Sequence, residues 1–360
     1  MTKISVLGAG AIGSLFGGLI RRSDPEVEVL LVARGRHGQA MSDLGSVLLD
    51  GSRGTCQVPV AVAEDACQIA GSDLIILTVK SQDTLAAIEQ AKPYLGSAVV
   101  ASLQNGVNQR VLGELLAPEQ FVVGMTSINA AIVEPGRVSL QRDGVTVVGS
   151  MNGPSGREIV ADALKLLRKS GLRIESSDNI IGVQLNKIAI NTIGYASVLS
   201  DSDFLLEGVL HEPWRTHVAK PLLDESLACI AAAGIELERV PGPSDVRRFR
   251  RLLSLLDIPL LGRLVAWGVR ASSKRRLVYS LYQDLKRRRS TEIDYVNGEI
   301  ANLAKSNGTA APLNEKVVEL VRSLEQRGDG SFFQRDEVVA ALRQIDGAVA
   351  TAGPTPGGAL

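Results

Sequence analysis

Through the first half of the chain, short apolar runs alternate with stretches of helical periodicity. Residues 4–7, 27–32, 74–79, 98–103 and 121–125 are the clearest runs. Apolar runs of this length read as buried strands, and the helical stretches between them as crossovers of a parallel sheet. Residues 138–140 and 145–148, separated by the polar 141–144, predict a hairpin that finishes this region. A helix over 155–170, with Leu164, Leu166 and Leu167 apolar, and a strand over 172–174 follow. Ser176-Ser177-Asp178 then offers a turn and a helix N-cap. Beyond it the alternation stops. Residues 180–199, 213–233, 246–256, 277–288, 293–307 and 314–325 all read as helices. The pattern therefore predicts an α/β domain over 1–177 and an all-α C-terminal domain over 178–345. The remaining 346–360, ending in Gly, Pro, Thr and Ala, has the composition of a disordered tail.

The first run has a sharper meaning. Residues 4–13 read Ile-Ser-Val-Leu-Gly-Ala-Gly-Ala-Ile-Gly, a strand entering a Gly-x-Gly-x-x-Gly turn before a helix-compatible stretch. In a dinucleotide-binding fold, Gly8 permits the tight turn and Gly10 lets the backbone approach a pyrophosphate. Gly13 lets the helix pack on the strand, with its N-terminus toward the phosphates. Ala9, Ala11 and Ile12 complete this cofactor-binding turn. An NAD-selective site places a carboxylate at the end of the second strand to bind the ribose 2′-hydroxyl. This chain has Ala33-Arg34-Gly35-Arg36 there. A guanidinium suits a 2′-phosphate, so NADP(H) is favoured over NAD(H), although exposed loop arginines would look the same in sequence.

Composition narrows the class. With 360 residues, the chain suffices for two cores. Net charge is zero and no signal peptide or membrane span is legible, since Asp257, Pro259 and Arg263 interrupt the longest apolar stretch. Cys56, Cys67 and Cys229 have no metal spacing and read as buried small side chains in a reducing cytoplasm. His37, His211 and His217 read as surface or capping residues, with His37 near the adenosine end of a cofactor. Thirteen Lys or Arg stand in 247–289 against Asp257 and Asp284. Solvated helix faces account for most of them. No nucleic-acid docking motif is evident.

Four places carry polar residues where apolar ones would be routine. Lys80 and Gln82 follow one strand and Asn105 the next, and carboxyl ends of parallel strands line the ligand crevice. Turn residues would read the same way. Lys187 and Asn191 lie four apart on one face of an apolar helix. Such a lysine either snorkels to solvent or serves as a proton donor whose pKa falls on desolvation. Ser280, and Thr291-Glu292-Ile293-Asp294 with Asn297-Gly298, form the fourth, where helix capping is the simpler account.

Together, Gly8–Gly13, Lys80, Asn105, Lys187 with Asn191, Ser280 and the Thr-Glu-Ile-Asp-x-x-Asn-Gly segment resemble the ketopantoate reductases (2-dehydropantoate 2-reductases). The resemblance spans residues 1–325. It implies a Rossmann-type N-terminal domain, a helical substrate and catalytic domain, and an active site between them. Lys187 would be the general acid for a 2-oxo acid reduced by NADPH. Glu292 would bind the substrate hydroxyl and help hold the lysine's charge. Asn105, Asn191 and Ser280 would position the substrate, Arg34 the 2′-phosphate, and Lys80 and Gln82 would line the cofactor cleft. The leading reaction is ketopantoate to (R)-pantoate in a cytoplasmic enzyme with a small-molecule partner, no nucleic acid, no membrane and a homodimer as one permitted assembly. Two departures stand out. Pantoate-making members carry a second Asn where this chain has Tyr195, and residues 248–273 are extra. A reductase of aromatic or branched 2-oxo acids, or a non-catalytic NADPH sensor, are the alternatives.

Overall fold

A computed structural model describes residues 1–240, 245–272 and 279–352. The chain divides into two units, Met1–Gln184 and Leu185–Leu360. In the first, the apolar runs form β1 (Lys3–Leu7), β2 (Glu28–Val32), β3 (Ser46–Gly51), β4 (Cys56–Pro59), β5 (Ala61–Ala63) and β6 (Leu74–Leu77). They continue with β7 (Val99–Ser102), β8 (Phe121–Thr126), β9 (Asn129–Glu134), β10 (Arg137–Arg142), β11 (Val145–Gly149) and β12 (Arg173–Ser176). Helices α1 (Ala11–Ser23), α2 (Gly35–Leu44), α3 (Thr84–Ala91), α4 (Gln109–Leu115) and α5 (Arg157–Leu167) connect them.

The larger sheet has eight strands in the order β12-β11-β8-β7-β6-β1-β2-β5. Every pairing is parallel except β8 with β11. The six parallel strands β8-β7-β6-β1-β2-β5 have the connectivity of a doubly wound dinucleotide fold, whose switch point falls between β1 and β6. All four residues of β6 are buried, as a parallel strand covered on both faces requires.

A second sheet, β4-β3-β10-β9, covers the other side of α1. The glycines of α1 explain how one helix serves two sheets. A Cβ at Gly17 would stand 2.5 Å from Leu31 and one at Gly18 3.0 Å from Leu49 and Val47. The expected hairpin of 138–140 with 145–148 does not form. β10 pairs with β3 and β9, whereas β11 joins the larger sheet. The turn that makes the hairpin is Pro135-Gly136, with Gly136 at φ +80°. That conformation suits glycine and closes β9 on β10.

The described residues of the second unit contain no strand. α6 (Ile180–Val198) begins in the first unit and continues into the second. Its cap is Asn179, whose Oδ1 accepts the Gly182 N–H, while Asp178 instead pairs with Arg157. π-helical turns Phe204–Val209 and Arg215–Ala219 bracket α7 (Glu212–Trp214) and lead into α8 (Lys220–Ala232). Then come α9 (Val246–Leu256), α10 (Leu261–Ser272), α11 (Ser280–Lys286), α12 (Asn297–Ser306), α13 (Pro312–Arg327) and α14 (Arg335–Ala352). The expected helix over 293–307 opens as a 3₁₀ turn, Ile293–Tyr295. The tail expected from residue 346 is helical as far as Ala352, and 353–360 lie outside the described residues.

Residues 248–272 of the extra segment belong to the helix pair α9 and α10, and Ser273 lies outside the described residues. α10 turns Gly262 inward and leaves Leu264 67% and Trp267 72% exposed. Of the cysteines only Cys229 is buried. Cys56 and Cys67 are half-buried, and all three are free thiols.

Candidate active site

In the first unit, the glycine turn is held by its own backbone. Gly8 and Ala9 N–H both donate to the Val32 carbonyl, at 3.1 and 2.8 Å, and Gly10 N–H to that of Gly8 at 2.7 Å. Thr78 Oγ1 donates to the same Gly8 oxygen at 2.9 Å, tying the end of β1 to the end of β6. Gly8 adopts φ +87°, and a Cβ there would lie 2.4 Å from Val79. A Cβ at Gly13 would lie 2.4 Å from Thr78 Oγ1 and 2.6 Å from Val6. Gly10 differs. A Cβ there would meet only the Gly8 oxygen, at 3.9 Å, so the space before the turn is open. Gly10 also caps α1 without any side-chain hydrogen bond or acidic first turn. Open space against the bare N–H groups of Ala11, Ile12 and Gly13 fits a pyrophosphate.

Arg34 stands at the N-cap of α2, directly after β2. Its Nη2 donates to Gln90 Oε1 at 2.8 Å, and the side chain is exposed alongside Arg36. Lys80, Gln82 and Asn105 follow β6 and β7, each half-buried. The two loops that carry them are stitched together. Ser81 Oγ donates to the Asn105 carbonyl at 2.7 Å, and Gln104 Nε2 to the Val79 carbonyl at 3.0 Å. Asn108 Nδ2 reaches both Ser81 Oγ and the Asn105 carbonyl.

In the second unit, Lys187, Asn191 and Tyr195 recur every four residues along α6 and so share a face. Lys187 and Asn191 are half-buried, whereas Tyr195 is fully enclosed. The Tyr195 hydroxyl lies 3.5 Å from Ser280 Oγ, the first residue of α11. Its ring meets Tyr279 edge-on at 5.9 Å, and Tyr279 also contacts Phe204, which stacks on Phe249. Tyr279 crosses α6 at Gly194, where a Cβ would be 2.1 Å from the ring. Burial pushes the Tyr195 pKa far up, and the carboxylates of Glu292 and Asp284 push it further against the hydrogen bond from Ser280. The phenol is therefore a neutral hydrogen-bonding group. Glu292 itself is buried.

The structure separates the roles within the Thr291-to-Gly298 segment. Glu292 is buried, with its charge contributing to the raised Tyr195 pKa, whereas Asp294 makes a surface ion pair with Arg322 at 2.7 Å. Thr291 N–H donates to Glu325 Oε1, and its Oγ1 accepts the Ile293 N–H. Asn297 Nδ2 donates to Asn314 Oδ1 at 3.0 Å and to the Thr192 carbonyl at 3.4 Å, so it braces α6 beside Asn191. Sequence reasoning placed His37 near the adenosine end of a cofactor but missed its bond to Ser14, 23 positions away with no pattern to link them.

The model of the ketopantoate reductase family PanE/ApbA matches residues 4–153, and that of its C-terminal domain matches 179–325. The 2-dehydropantoate 2-reductase of Pyrococcus horikoshii is 32% identical over 347 residues, 91% of this chain and 99% of that protein. The crystal structure of a PanE/ApbA family ketopantoate reductase from Ralstonia eutropha JMP134 is 27% identical with a TM-score of 0.73, covering 91% of this chain and 99% of its own. A complex of D-mandelate dehydrogenase with NADH is 25% identical with a TM-score of 0.72, covering 91% of this chain and all of its own. With both domain models matched in order and a relative aligned nearly end to end, the chain belongs to the PanE/ApbA ketopantoate reductase family of oxidoreductases.

Proposed function

We propose that the protein is a cytoplasmic NADPH-dependent reductase of 2-oxo acids, with 2-dehydropantoate to (R)-pantoate as its leading reaction. The carrying observation is the α6 face, where Lys187 and Asn191 are followed by Tyr195 in contact with Ser280 and within the field of the buried Glu292. Residues 1–177 bind the dinucleotide and 178–345 supply the substrate and catalytic groups. Gly8, Ala9, Gly10, Ala11, Ile12 and Gly13 would hold the pyrophosphate, Arg34 the 2′-phosphate, and Lys80, Gln82 and Asn105 the cleft. When bound, the nicotinamide supplies a hydride for the 2-oxo carbon.

Lys187 then donates a hydrogen bond to the carbonyl oxygen and passes it a proton as negative charge builds there. Glu292 holds the ammonium charge and accepts from the substrate hydroxyl. Asn191, Ser280 and Asn105 fix the substrate's orientation. Lys187→Ala tests this directly: turnover should fall at least 100-fold while NADP⁺ binding persists, and near-normal turnover would refute the assignment.

Tyr195 favours a second reading, in which the substrate is a different 2-oxo acid, aromatic or branched. Its enclosed ring stands where pantoate-making members offer an amide. A panel of 2-oxo acids, followed by NADPH oxidation, separates the two. A homodimer is also proposed. Leu260, Leu264 and Trp267 are 74%, 67% and 72% exposed, a patch a second copy would cover.

A further inference from the structure

We infer that His37 is a positioning residue for the cofactor, locking the Gly8-to-Gly13 turn in its phosphate-binding shape while its imidazole is neutral. The inference rests on the dinucleotide reading above. The Gly136 N–H points at His37 Nδ1, at 3.0 Å. A backbone N–H can only donate, so Nδ1 is the acceptor and the ring proton sits on Nε2. Nε2–H therefore donates to Ser14 Oγ at 3.1 Å. Ser14 Oγ–H in turn donates to the Ala9 carbonyl at 3.0 Å, with Met41 Sδ more distant at 3.8 Å. Ala9 is the middle of the turn. One relay thus runs from the β9–β10 turn through α2 and α1 to the peptide that must face the pyrophosphate.

A second proton would go to Nδ1 and set two N–H groups against each other, breaking the relay at Gly136. On α2 itself, Arg34 and Arg36 are cationic and exposed, and the one acid, Asp43, accepts from Gln39 Nε2 at 2.6 Å. Beside the β9–β10 turn, Glu134 is bonded to Arg137 at 3.1 Å, and Arg137 to Asp50 of β3 at 2.6 Å. α1 has no acid in its first turn, and its Arg21 and Arg22 lie in its last. Burial holds the His37 pKa below its ordinary value. The lowered direction means the lock is complete above the ordinary histidine range, about pH 6.5, and is lost as pH falls beneath it.

The test is calorimetric titration of NADP⁺ into the full chain at pH 7.5 and 5.5, for wild type, His37→Gln and His37→Leu. Glutamine offers one donor and one acceptor and does not titrate. The 2′-phosphate also titrates in this range, so the difference between wild type and His37→Gln is what is read. Wild type should lose several-fold more affinity on acidification than His37→Gln. His37→Leu should bind several-fold more weakly already at pH 7.5, with KM for NADPH raised and kcat unchanged. Ser14→Ala combined with His37→Leu should be no worse than the poorer single variant, because both cut one relay. Equal pH responses in wild type and His37→Gln, or normal binding by a folded His37→Leu, overturn the inference alone. Failure of wild type to bind NADP⁺ at pH 7.5 overturns the cofactor reading and the inference with it.

Discussion

At the scale of single residues, the second unit depends on a side chain that is missing. Gly194 lets Tyr279 lie against α6, and a methyl group there would stand 2.1–2.5 Å from three ring carbons. Gly194→Ala should cost about 1–3 kcal/mol, as overpacking does, measured by urea unfolding. Because Ser280 follows Tyr279, KM for the 2-oxo acid should rise in the same variant. The contrast with sequence is instructive. Gly8, Gly10 and Gly13 were legible because a backbone turn imposes a local spacing. Gly194 and Tyr279 were not, since only tertiary packing brings them together. Lys187 was legible as an oddity on an apolar helix, and a snorkelling lysine would have looked identical. His37 was legible only as a residue near a cofactor's adenosine end, and its bonds to Ser14 and Gly136 were not, because only tertiary packing brings the three together.

At the scale of elements, the joints between helices carry unusual polar weight. Glu225 on α8 accepts three hydrogen bonds from α13: the Leu313 and Asn314 N–H groups and Asn314 Nδ2, at 2.8–2.9 Å. Glu225→Ala strands these donors and should cost about 1–3 kcal/mol in chemical denaturation. Burial also raises the Glu225 pKa. The folded state then holds this proton to higher pH than the unfolded chain, so the contribution to stability falls as pH rises above the ordinary carboxylate range. Acidification from pH 7 to 5 should therefore stabilise wild type relative to Glu225→Gln, and equal responses would count against the shift. The cap of α9 is simpler. Asp245 accepts from Arg247 and Arg248 N–H at 3.1 Å, and Asp245→Ala should cost about 1 kcal/mol. Helix extents such as 246–256 were legible from periodicity. The partnership of β10 was not, because strand periodicity says which residues are apolar and nothing about which sheet receives them.

At the scale of the whole molecule, the two units should respond differently to the same ligand. Saturating NADP⁺ at about 100 times its Kd adds about 2.7 kcal/mol to whatever binds it. In scanning calorimetry, that shift should appear in the transition of Met1–Gln184. A profile that does not move would argue against a cofactor site in that unit. No helix among the described residues is long and apolar enough to cross a membrane.

The second sheet has a consequence for how such a chain is made. β3 pairs in parallel with β10, Leu48 beside Arg137, although β4 through β9 intervene. Closing so distant a pair is slow, because the loop must be ordered before the contact repays it. During synthesis, a nascent chain ending before Gly136 already contains the glycine turn and His37, yet lacks the amide that fixes the imidazole. The earliest-made part of the proposed binding site is among the last to be completed.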